Sequence, residues 1–296
     1  MRFRQHPLSR LAVCVAAVGL AMSATGPAFS APRAPGPPPA PASAPPLTDV
    51  EVVKTTETVP DYRKVLVSCP AGKVAINGGA EASATPSDYD SVALVSSYPS
   101  PWTTTLWVAS ARNFSGQPST VTAWAICARK PSGYEVVQAP SSQVPVDQPV
   151  TLSCPAGKVA FSGGAEIQSD RSSLTKSYPA AFNSAKQPTQ WVVAGRNAAN
   201  STVGVEASAV CADPITDVTW STGRATSNSP AGGFLVCPDG RQVVGGGASA
   251  SGPESVLISS KPGLKSEGAR SDGWWGQAGG FYEPLTVDVY VACASR

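Results

Sequence analysis

Histidine is nearly absent from this chain of 296 residues: there is one, His6. It falls in a leader with Arg2, Arg4 and Arg10 in a basic head, an apolar core from Leu11 to Met22, and Ala28-Phe29-Ser30 as a small-x-small cleavage site. Residues 1–30 therefore read as a signal peptide, which also takes away both methionines, Met1 and Met22. Without histidine, Ser-His-Asp and Cys-His nucleophilic systems have no base. The rest of the chain also lacks the C-x-x-C pairs of zinc sites, so no metal or cofactor is called for.

Charge is scarce too, at 14% Asp, Glu, Lys and Arg. The formal net charge of +2 belongs to the leader: the 22 basic residues less its three arginines are 19, against 20 acidic ones, a net −1. Such a near-neutral chain offers no basic surface for nucleic acid. Past the leader, no apolar stretch is long enough to make a transmembrane segment. No sustained helical period appears anywhere either.

What the chain does have is proline, glycine and a repeated motif. Residues 31–48 are rich in Pro and Ala and read as a disordered tether. Beyond it, Cys69-Pro70-Ala71-Gly72 with Gly78-Gly79-Ala80 returns as Cys154-Pro155-Ala156-Gly157 with Gly163-Gly164-Ala165. It returns again as Cys237-Pro238-Asp239-Gly240 with Gly246-Gly247-Ala248. Pro-x-Gly suits a tight turn, and a glycine pair inside a strand marks a bulge, a sharp bend or a close backbone approach. Three β repeats of about 82 residues follow from this self-similarity, at 49–130, 131–213 and 214–296.

Each repeat holds one early and one late cysteine: Cys69 and Cys127, Cys154 and Cys211, Cys237 and Cys293, at spacings of 58, 57 and 56 residues. The seventh cysteine, Cys14, falls in the leader; the six that remain, an even count in an exported chain, read as disulfides, and the three within-repeat bridges are the simplest of 15 pairings. Each last strand alternates an apolar face bearing the cysteine, such as Val121, Ala123 and Ala125, with a polar one, such as Thr122 and Trp124. The fold class is all-β and antiparallel. Its three units are either tandem sandwiches or a body closed around a pseudo-threefold axis like a β-prism. The junctions at 130–133 and 213–215 are short enough to demand close packing.

Trp107, Trp191 and Trp274 recur in register and are expected in the core. Trp102 does not recur, and Trp124 shares an outward position with Tyr290, so these three are the candidates for stacking on a sugar ring. Glu81 and Glu166 occupy one repeat position and Arg112 and Arg196 another, and the third repeat has Ser249 and Gly279 there. Their joint presence and joint loss read as ion pairs within a repeat, Glu81 with Arg112 and Glu166 with Arg196.

The Cys-Pro-x-Gly units, the Gly-Gly-Ala, the Tyr-Pro at 98–99 and 178–179 and the closing Ala-x-Cys-Ala resemble a group of uncharacterised secreted repeat proteins from Gram-positive, high-GC bacteria. The threefold β repeat with its Cys-Pro/Gly turn is more weakly similar to the vitelline membrane outer layer protein family, a β-prism. The first resemblance implies export and a repeat architecture, and no activity. The expected function is a secreted or cell-surface-associated, non-catalytic binding protein whose partner is an extracellular or cell-wall glycan. A carboxylate-dependent glycan hydrolase or lyase and a ligand-free structural envelope component are the alternatives.

Overall fold

The computed structural model describes residues 45–84, 91–228, 230–280 and 282–296. The expected signal peptide and nearly all of the tether lie outside them. The described residues form strands joined by turns and one short 3-10 turn, Lys265–Glu267.

The first third of the chain gives β1 (Glu51–Val59), β2 (Val65–Ser68), β3 (Lys73–Ser83), β4 (Val92–Pro99), β5 (Leu106–Asn113) and β6 (Ser119–Arg129). The middle third gives β7 (Glu135–Gln138), β8 (Ser142–Pro145), β9 (Val150–Ser153), β10 (Val159–Gln168), β11 (Ser172–Phe182), β12 (Pro188–Asn197) and β13 (Thr202–Ala212). The last third gives β14 (Thr219–Ser227), β15 (Ala231–Val236), β16 (Arg241–Ser251), β17 (Val256–Gly263), β18 (Gly273–Gly279) and β19 (Leu285–Ser295).

These strands build three sheets, and no third of the chain keeps a sheet to itself. Sheet I runs β1-β6-β3-β17-β18-β15, joining the first third to the last. Sheet II runs β2-β5-β4-β10-β13-β7, with β8 also on β13, joining the first to the middle. Sheet III runs β14-β19-β16-β11-β12-β9, joining the last to the middle. Of the two architectures compatible with the sequence, independent tandem sandwiches are not what forms. Each third splits into two half-sheets and lends one to each neighbour. The central strands β3, β10 and β16 touch one another, and one hydrophobic cluster draws on all three sheets.

The disulfides Cys69–Cys127, Cys154–Cys211 and Cys237–Cys293 each join the two half-sheets of one third. Cys69 follows β2 in sheet II and Cys127 lies in β6 of sheet I, so the bridge spans a corner between sheets. Among the described residues no disulfide joins one third to another. That task falls to three seams, each a ladder of only two residue pairs: Ala80–Ser260 and Glu81–Ser259, Ala165–Ser97 and Glu166–Ser96, Ser177–Ala248 and Lys176–Ser249.

The paired glycines explain how so short a seam closes. A Cβ on the first of each pair, Gly78, Gly163 or Gly246, would overlap the indole of Trp107, Trp191 or Trp274. Those indoles are fully buried, and their ring nitrogens donate to Ser97, Ser177 and Ser260 at 3.0, 3.0 and 3.1 Å. A Cβ on the second, Gly79, Gly164 or Gly247, would overlap the backbone carbonyl of Ser260, Ser97 or Ser177 across the seam. The first glycine therefore seats the core tryptophan, and the second lets two thirds of the chain pair backbone to backbone. Next to the pair, where the central strands meet, the three thirds differ. The Asn77 side chain donates to the Phe161 carbonyl at 2.8 Å and fills space left open at Gly245.

Gly164→Ala is expected to lower stability by at least about 3 kcal/mol, the upper range for overpacking, because the obstruction is backbone and cannot swing aside. Gly116→Ala is the control: that glycine has open space around it, and its positive φ alone sets a smaller cost. Denaturant midpoints of the two variants check this, and equal losses would contradict it.

Candidate functional site

Past each second glycine, the outer face of a sheet carries a row of side chains across the strands. In sheet I the row is Lys54, Trp124, Gly79, Lys261, Trp275 and Phe234. In sheet II the matching positions are Ser208, Gly164, Tyr98, Val108 and Leu66. In sheet III they are Tyr290, Gly247, Tyr178, Val192 and Thr151. One backbone plan thus presents three different surfaces.

Sheet I has the most developed of them. A groove of about 580 Å³ opens on its outer face, with Trp275 and Phe234 as its floor and Lys261, Glu81, Gln277 and Arg270 around them. The two rings sit 6.2 Å apart, tilted by 43°. Phe234 lies over Gly263 and Gly273, where a side chain would strike its ring. The segment between β17 and β18 is longer than its counterparts between β4 and β5 or β11 and β12. Its 3-10 turn forms one wall, held by an ion pair of 2.6 Å between Lys54 and Glu267. Lys261 Nζ reaches Glu81 Oε2 at 2.6 Å and lies 4.9 Å from the centre of the Trp124 ring.

Sheet II has a smaller counterpart of about 480 Å³, lined by Lys64, Tyr98, Trp102, Gln138, Glu206 and Ser208 among others. Lys64 Nζ donates to Glu166 at 2.6 Å and to Tyr98 Oη at 3.3 Å, and the Tyr98 hydroxyl donates to Glu166 at 3.1 Å. Trp102 stands on the loop beside this triad and is 88% exposed. In sheet III no lysine–glutamate pair forms at the seam, since Ser249 replaces the glutamate. Tyr178 and Tyr290 stack there at 5.2 Å instead.

The candidate residues are therefore dispersed. Trp102 belongs to sheet II, Trp124 to sheet I and Tyr290 to sheet III. Trp124 is not an exposed ring: it is 4% exposed, because Lys261 from the last third covers it. Tyr290 is half-buried against Tyr178. Glu81 and Glu166 are ion-paired, but with Lys261 and Lys64 and not with Arg112 and Arg196 as expected. The reason is topological. Glu81 and Arg112 belong to different half-sheets of one third, in sheets I and II, and Glu166 and Arg196 are likewise divided between sheets II and III. Phe234 and Trp275 were not singled out as a pair, because only the β15–β18 register brings them together.

No protein-family model matches the chain, and no curated protein matches it. Among the described residues no group of three or more His, Cys, Asp or Glu is placed to hold a metal, and no helix is long and apolar enough to cross a membrane.

The outer rows carry perturbed phenols. Burial raises Tyr98, with Glu166 adding to it; burial raises Tyr178, with Asp288 adding; burial and then Asp288 push Tyr290 up to about 12. A folded-state value above the unfolded one gives stability that is complete below about pH 10 and is lost as pH rises toward 12, because the unfolded chain then releases protons first. Urea midpoints should fall steadily between about pH 10 and 12. A flat profile over that range would show that these phenols titrate as they do in the unfolded chain.

Proposed function

We propose that the protein is a secreted, non-catalytic binding protein that holds a glycan on the outer face of sheet I. The observation that carries this reading is the floor of Trp275 and Phe234 beside the Glu81–Lys261 pair and Gln277. A sugar ring needs a flat apolar surface for its C–H face and fixed donors and acceptors for its hydroxyls, and this groove supplies both. Three disulfides and the leader support export. Three sheets shared pairwise between the thirds of the chain are what favours a likeness to the β-prism of the vitelline membrane outer layer type, the weaker of the two resemblances.

Paired-carboxylate hydrolysis has less behind it. Glu81 and Glu166, the two glutamates of the seams, lie in different sheets and each is engaged by an ammonium at 2.6 Å. A hydrolase needs two carboxyl groups facing one sugar within roughly 9.5 Å, one of them held protonated by its surroundings.

Trp275→Ala is expected to reduce retention of the full chain on insoluble polysaccharides (cellulose, chitin and peptidoglycan) by roughly three- to tenfold, the equivalent of one aromatic contact. The residue is half-buried against Phe234, so some stability is lost with it, and retention is compared at a temperature where both proteins are folded. Trp102→Ala, in the other groove, is the comparison. Equal retention by wild type and Trp275→Ala, or no retention of wild type on any of the three, would remove the reading.

A further inference from the structure

A third cavity lies where all three thirds of the chain meet at one end of the sheets. It measures about 480 Å³ and is lined by Arg112, Phe114, Arg171, Arg196, Asp170 and Glu254 among others. Its residues come from the β1–β2 turn, the ends of β5 and β12 and the turns after them, the β10–β11 turn, and the start of β17 with the turn before it.

Two of its arginines are deeply placed: Arg112 and Arg196 are each 8% exposed. Among the described residues, neither has a carboxylate within ion-pair distance. Arg112 is held by a hydrogen bond from Nε to the Ser173 hydroxyl at 3.1 Å and by the Phe114 ring at 4.2 Å, while Asp61 and Asp170 act on its charge from beyond ion-pair distance. Arg196 donates one Nη2 hydrogen bond to Asn200 at 3.2 Å. The terminal nitrogens of Arg112 bond to no described residue. Burial draws its pKa down by more than the nearby Tyr62, Asp61 and Asp170 raise it. The carboxylates of the cavity stand elsewhere: Asp170 and Glu254 are exposed at the rim, and Asp61 is only half-buried and accepts the Asn113 amide at 2.7 Å.

The fold does not require these arginines. The matching pairs across the hairpins are Ala93 with Arg112, Ser173 with Arg196 and Val256 with Gly279, so the last third forms the same hairpin with no side chain there at all. Two buried guanidiniums with no acid in ion-pair contact, where the architecture tolerates glycine, point to a ligand site, because guanidinium forks match oxyanions.

We infer that this cavity is a binding site for a small carboxylate-bearing molecule, such as an acidic sugar, taken with its anion inward onto Arg112 and Arg196. The exposed Asp170 and Glu254 outnumber the one exposed arginine of the rim, Arg171, so an extended polyanion meets net negative charge at the mouth and the site favours compact ligands. This inference stands apart from the groove on sheet I and does not depend on it.

The test is a titration of the full chain with D-glucuronate, with D-glucose as the uncharged twin and a long polyphosphate as the polyanion, read by the shift in thermal midpoint. Glucuronate should raise the midpoint in a saturable way, and glucose and polyphosphate should not. Arg112→Gln and Arg196→Gln should each weaken glucuronate binding by roughly tenfold or more, the cost of removing one partner of a buried charge contact. Trp275→Ala should bind glucuronate as wild type does. Either arginine variant that keeps a normal midpoint without ligand serves the purpose. No shift with glucuronate, an equal shift with glucose, or binding that survives loss of both arginines would overturn the inference.

Discussion

The structure depends on three places where two backbones come too close for any side chain. At Gly79, Gly164 and Gly247 a Cβ would meet the carbonyl of the strand across the seam, and only at these seams do the thirds of the chain exchange sheet hydrogen bonds. The neighbouring glycine at each site takes a buried tryptophan, whose ring nitrogen is fixed by a serine on the seam strand. Closure and core packing are thus set by one dipeptide and one Ser–Trp contact, repeated three times. The disulfides act differently: each ties the two halves of its own third and narrows the unfolded ensemble without joining thirds.

The same seam places the functional surface. Because the second glycine has no side chain, the residues flanking it on the outer face approach each other across the gap. In sheet I this sets Lys261 against Trp124 and within reach of Glu81, and carries the row on to Trp275 and Phe234. In sheet II the same geometry yields the Lys64–Tyr98–Glu166 triad, and in sheet III a tyrosine stack. A fixed backbone plan therefore leaves outward positions free to differ, and those are where recognition can be varied without disturbing the core.

Much of the fold was legible. The strand alternation put Val121, Ala123 and Ala125 inside, and all three are fully buried. The recurrence of Trp107, Trp191 and Trp274 marked the core. What the sequence left open was which half of a unit pairs with which. Period-two alternation looks the same whether a strand's neighbour belongs to its own unit or the next. That ambiguity explains the misassigned partners of Glu81 and Glu166, since joint presence in two copies suggested a contact where there are two separate places, a seam and an end cavity. It also explains Trp124, which is outward on its own strand and covered only because another third supplies Lys261. The floor of Phe234 and Trp275 was hidden for the same reason: neither ring recurs, and a register across strands brings them together.

If closure by exchange is right, no part of the chain short of the whole can complete its sheets. Removing residues 214–296 would strip the partner half from sheet I and sheet III while leaving both remaining disulfides and the whole of sheet II intact. The direct measurement is thermal unfolding of that truncated chain, followed by near-ultraviolet circular dichroism. Loss of the near-ultraviolet signal and of any cooperative transition is the result this account requires. A cooperative transition close to that of the full chain would mean that the thirds fold as separate units, and would contradict it.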